Sequence, residues 1–198
     1  MLGGPDEAIA QLVPGLPISV ELRTGASLPL GDFGSENPGL GAGTGIGAAA
    51  AIHVHVTSRL AAYASYDYGR FGCGACAAAG FEDRLPEAGF EVGIEWLPFR
   101  PGGPDPWLGV GILMGRRLEI PDGGDGFASE SATGWSLGAG VRVPVARSMR
   151  LLPAVRYRSY SARFDFPDLG FALLGAGAPE QEAQVASLAL EVGLSYEF

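Results

Sequence analysis

The closing stretch of the chain, Ala186-Ser-Leu-Ala-Leu-Glu-Val-Gly-Leu-Ser-Tyr-Glu-Phe198, alternates without a break. Ala186, Leu188, Leu190, Val192, Leu194, Tyr196 and Phe198 fall on one parity; Ser187, Ala189, Glu191, Gly193, Ser195 and Glu197 fall on the other. A two-residue period puts the first set on one face of a β-strand and the second on the opposite face. The run is about twice the usual length of a globular strand and close to the 9–11 residues that a tilted strand needs to cross a bilayer.

Seven further segments repeat this pattern. Ile18 to Leu28 sets Ile18, Val20 and Leu22 against Ser19, Glu21 and Arg23, and Thr44 to Val56 sets Ile46, Ile52 and Val54 against Gly45, His53 and His55. Leu60 to Arg70 has Tyr66 and Tyr68 opposing Tyr63, Ser65 and Asp67. The alternation is clearest from Glu87 to Leu97, where Ala88, Phe90, Val92, Ile94 and Trp96 oppose Glu87, Gly89, Glu91, Gly93 and Glu95. Trp107 to Arg116, Thr133 to Val145 and Leu151 to about Arg163 complete the set. The intervening segments alternate short (57–59, 98–106, 145–150) and long (29–43, 71–86, 117–132, 164–184). Residues 1–15 stand apart, as a periplasmic tail or a short helix closed by Pro14-Gly15, with the strands occupying 16–198.

Composition removes several classes. Net charge is −9 and all 13 basic residues are Arg, with no Lys to help build the cationic patch that nucleic acid requires. The best candidate for a spanning helix, Leu40 to Val56, is interrupted by Gly41, Gly43, Gly45 and Gly47 and carries His53 and His55 two apart. That spacing shares a face only on a strand. The start, Met1-Leu-Gly-Gly-Pro, has no basic segment or apolar core of an export signal, so a barrel reading implies a leader outside this numbering. Cys73 and Cys76 lack the βαβ context of a redox motif and a second ligand pair, so a loop disulfide in an oxidising compartment is the expectation.

Eight antiparallel strands joined in succession close into an up-and-down barrel without free edges. A soluble barrel has the same period but the reverse orientation. Here the polar face is rich in glycine (Gly89, Gly93, Gly109, Gly111, Gly134, Gly138, Gly140, Gly193), which suits a narrow interior and is of no benefit on a water-facing surface. The apolar face therefore turns to lipid, with an aromatic girdle of Trp96, Trp107, Trp135, Tyr196 and Phe198. The expected fold is an all-β, eight-stranded transmembrane barrel with short periplasmic turns and long extracellular loops.

On these grounds the chain resembles the small eight-stranded outer-membrane barrels, the OmpA/OmpX-like group, over residues 16–198. The ending Leu194-Ser-Tyr-Glu-Phe198 resembles the C-terminal signal read by the outer-membrane assembly machinery. The resemblance implies a Gram-negative-type outer membrane, contact with its lipid and lipopolysaccharide, and no cofactor. It also implies envelope or adhesion roles carried by loops.

The inward charges Glu21, Arg23, Glu91, Glu95, Arg142, Arg156, Arg158 and Glu191 are expected to form a salt-bridged plug, since unpaired charges in a narrow lumen are costly. The alternative is a narrow channel lined by the same groups. His53 and His55 with Glu95 are the one candidate metal constellation, and membership of the hydrogen-bond network is the plainer role. Enzyme chemistry of the lipid A deacylase type would rest on Ser161, but Ser159 stands where that family has its histidine, so no enzyme is expected. The acidic loops, and the apolar run Phe171 to Gly177, suggest a surface partner or self-association as a further class.

Overall fold

A computed structural model describes residues 17–35, 41–78, 82–98, 104–120, 127–165 and 180–198. Residues 1–16, and with them the expected tail, lie outside these, as does the run Phe171 to Gly177.

Eight long strands follow one another: β1 (Ile18–Leu30), β2 (Ala42–Thr57), β3 (Leu60–Cys73), β4 (Arg84–Trp96), β5 (Asp105–Ile120), β6 (Ala132–Ala146), β7 (Met149–Asp165) and β8 (Glu180–Glu197). Each pairs antiparallel with its neighbours, and β8 returns to β1 with Ser19 opposite Glu197 and Leu30 opposite Ala186. The ring is thereby closed and every long strand has a partner on both sides. A two-residue strand, Phe127–Ala128, adds to the end of β5. A short helix, α1 (Gly74–Ala78), follows β3, and Cys73 on the strand is disulfide-bonded to Cys76 on the helix. Among the described residues no helix is long and apolar enough to cross a membrane.

The large apolar side chains point outward. Leu22, Ile46, Phe90, Ile94, Val110, Ile112, Leu137, Val155, Leu190 and Val192 are all exposed, while Glu91, Glu95, Arg156 and Ser136 are buried inside. This arrangement is stable only in a lipid environment, where the exposed belt meets acyl chains. Aromatic residues end the belt: Trp96, Tyr196 and Phe198 on the short-turn side, Tyr66, Tyr68, Phe90, Trp135 and Tyr157 towards the long loops. Arg70 caps the upper edge by donating from Nε to Tyr68 Oη at 2.7 Å.

The strands run further towards the long-loop rim than the alternation predicts, and the reason is a reversal of polarity. Beyond the girdle the outward positions become Arg117, Glu119, Arg163 and Glu182, all exposed. The inward ones become Phe71, Leu85, Leu113, Leu118, Ile120, Ala162, Phe164 and Val185, packed in one apolar cluster with Cys73 and Cys76. Phe33, on a 3-10 turn after β1, folds into this cluster and meets Phe71 edge-on at 4.9 Å. One cylinder thus has two polarities, apolar outside within the bilayer and apolar inside above it.

A bulge in β5 marks this change. Gly115 has φ +63°, a left-handed backbone that side chains with a Cβ resist, and it interrupts the register to both β4 and β6. The extra residue shifts the alternation, so Arg116 points inward and Arg117 outward.

Candidate functional site

The middle of the lumen is filled by ion pairs. Glu91 of β4, fully buried, accepts on Oε1 from Tyr63 Oη at 2.5 Å, Ser136 Oγ at 2.7 Å and Arg156 Nη1 at 2.8 Å. Arg156 also reaches Glu191 through Nε at 3.3 Å. Arg158, two residues on along β7, donates from Nη2 to Glu191 at 2.8 Å and to Asp67 at 3.0 Å. Asp67 is a second hub, receiving Arg23 at 2.8 Å and Arg116 at 3.2 Å as well. Arg116 then pairs with Glu87 at 3.0 Å, and Arg142 with Glu95. Guanidinium forks bridge two carboxylates where an ammonium would offer a point charge, which fits a lumen whose cations are all arginine.

His53 lies between two acids, Nε2 3.0 Å from Glu21 and Nδ1 3.4 Å from Glu95. Five guanidinium groups (Arg23, Arg116, Arg142, Arg156, Arg158) are interleaved with six carboxylates, Glu21, Asp67, Glu87, Glu91, Glu95 and Glu191. Interleaving opposite charges in this way offsets the desolvation cost of each buried ion. Among the described residues no group of three acids, histidines or cysteines is arranged to hold a metal.

The structure brings all eight sequence-selected charges into this one assembly. It also adds Arg116 and Tyr63, and takes in Asp67 and His53 from the inward face. Arg116 is the residue that residue-number parity hides, because the Gly115 bulge precedes it. Asp67 and Tyr63 were visible on the inward face, but nothing in the sequence shows how many partners converge on them.

Trp107 corrects the expected girdle. It is 3% exposed and lies inside the barrel with Ala61 and Leu97, its ring under the Arg156 guanidinium at 5.6 Å. Its odd number matches Gly109 and Gly111 on the lumenal face, and height along the strand is no guide to which side a residue faces. Gly138 and Gly140 make the space: a Cβ on either would lie within 3.0 Å of the indole. In phospholipid vesicles carrying brominated acyl chains, Trp96 and Trp135 should be quenched strongly and Trp107 scarcely at all. Single-tryptophan variants read this directly, and equal quenching at all three would contradict the inward placement.

Ser161 is on the outer wall, where Oγ donates to Gln184 Oε1 at 3.2 Å. Both histidines are on β2, away from the β7–β8 seam that holds it.

No protein-family model matches the chain, and no curated protein matches it. Solved structures do. The chain is similar to neisserial surface protein A at 15% identity and TM-score 0.60, covering 93% of this chain and 97% of that one. It has the fold of the small outer-membrane barrels. The attachment invasion locus protein of Yersinia pestis aligns at 11% identity and TM-score 0.53 over 92% of this chain and 99% of that one. OprG of Pseudomonas aeruginosa aligns at 13% and 0.51 over 92% and 95%.

Proposed function

We propose that the protein is a non-conducting barrel of the outer membrane whose role is structural or surface-interacting, carried by the four long connections on a rigid, filled cylinder. The observation that carries this reading is the lumen itself. Side chains from β7 meet those from β3 and β4 across the axis, and the apolar cluster around Phe33 and Phe71 lies over them. A cavity bounded by Arg23, Asp67, Glu87, Arg116 and Arg158 has a volume of about 30 Å³, room for about one water.

The loop-bearing end is acidic, with Asp32, Glu82, Asp83, Glu119, Glu130 and Glu182 all exposed. A basic partner surface, or divalent cations shared with neighbouring anionic lipid, is the complementary class. Two of the similar barrels are named for surface exposure and for attachment. The lipid-facing belt supports contact with outer-membrane lipid.

Planar-bilayer recording decides between this reading and a narrow channel. Purified protein should add no resolved current steps above the bare bilayer. Steps that appear with wild type and change size in Arg158→Ala would replace the plug with a pore.

A further inference from the structure

Beyond the level at which β1 ends, the outer wall of β6, β7 and β8 turns polar. β1 stays apolar outward to its end, with Leu28 and Leu30 exposed. Across the seam, the outward residues become Ser159, Ser161, Arg163, Gln184 and Glu182. They are organised: Gln184 donates from Nε2 to Ser159 Oγ at 2.8 Å and accepts from Ser161 at 3.2 Å.

Beside this ladder the wall is hollowed into a recess of about 230 Å³, lined by Ser131, Thr133 and Ser161, by Arg163 and by Glu130 and Glu182. On β6, Trp135 lies two residues below Thr133 on the same face, and its ring packs on Tyr157 with centroids 5.1 Å apart. The recess therefore opens at the upper edge of the lipid belt, directly above an aromatic shelf.

We propose that this recess is a binding site for the saccharide headgroup of an outer-leaflet glycolipid, whose acyl chains lie along the belt beneath it. The argument rests on the membrane-spanning reading given above. Three hydroxyls, one guanidinium donor and two carboxylate acceptors suit a polyol, which presents donors and acceptors alternately. The two carboxylates beside a single arginine disfavour a bare phosphate. The volume is that of roughly seven or eight waters, the scale of one sugar ring. Trp135 and Tyr157 offer their faces to the apolar side of the ring or the first carbons of the lipid.

The test uses the full chain in phosphatidylcholine nanodiscs containing digalactosyl diacylglycerol or, separately, phosphatidic acid. After mild detergent extraction, lipid retained by the barrel is measured by mass spectrometry. Wild type should keep the galactolipid in preference to phosphatidylcholine, and the Ser161→Ala/Arg163→Ala double variant should keep about five- to tenfold less. Arg84→Ala, an exposed arginine on β4 outside the recess, should match wild type. Equal retention by the double variant, or retention of phosphatidic acid in place of the galactolipid, overturns the proposal. Heat-modifiable gel mobility of each sample separates the two levels. An inserted barrel that retains no galactolipid sinks the site alone, whereas failure to insert sinks the membrane reading on which it rests.

Discussion

Glu91→Ala should lower the stability of the barrel by about 3–5 kcal/mol, the cost of breaking a buried ion pair from one side. The substitution removes the acceptor for Tyr63, Ser136 and Arg156 together. Arg156, 2% exposed, keeps Glu191 as its one carboxylate partner among the described residues. Urea unfolding in phospholipid vesicles, followed by intrinsic fluorescence, measures the difference. Two companions make the cause specific. Glu91→Gln retains an acceptor oxygen and should fall between wild type and alanine. Glu91→Leu combined with Arg156→Met replaces the pair by apolar groups and should recover much of the loss, because such replacements are often neutral or better. A loss below about 1 kcal/mol for Glu91→Ala would show that the assembly is incidental to stability.

Gly111→Val should be almost as damaging, by a different route. A Cβ at this position would lie 2.6 Å from Tyr63 Oη, 2.7 Å from Ser136 Oγ and 2.9 Å from Glu91 Oε1. Tyr63, Ser136 and the Glu91 carboxylate that accepts from both would have to move apart, so overpacking and unsatisfied hydrogen bonds add. We expect about 3 kcal/mol, the upper part of the range for an inserted core side chain. Gly69→Ala is the control, since its nearest neighbour would be Ile46 O at an ordinary 3.5 Å. It should change stability by less than about 1 kcal/mol, within the range of substitutions that disturb no packing. The contrast separates a true shortage of room at the centre from a general intolerance of glycine replacement. Equal effects at the two positions would remove the crowding argument.

How much of this was legible in the sequence depended on where in the barrel a residue sits. Within the bilayer, lipid outside and charge inside impose opposite demands on alternate residues, so Ile94 against Glu95 and Leu190 against Glu191 reveal both strand and facing. The glycine-rich polar face marked a narrow lumen for the same reason. Above the girdle the demands exchange: Phe164 and Val185 turn inward, Arg163 and Glu182 outward. A reading that sought apolar residues facing out ended each strand too early there. Arg116 escaped because one bulge residue shifts the parity. Trp107 shares the parity of Gly109 and Gly111, and that parity, not its place at a strand end, tells its facing. Closure of the mouth by Phe33 depends on a turn that carries no periodic signal.

The crosswise contacts have a mechanical consequence. Arg156 and Arg158 on β7 reach Tyr63 and Asp67 on β3, the stave four places away in a ring of eight. They act as spokes on a wheel. A hollow hoop of the same circumference flattens when squeezed from the side, while a spoked one keeps its round outline until the spokes themselves give way. Lateral pressure from surrounding lipid therefore meets a rim of fixed diameter.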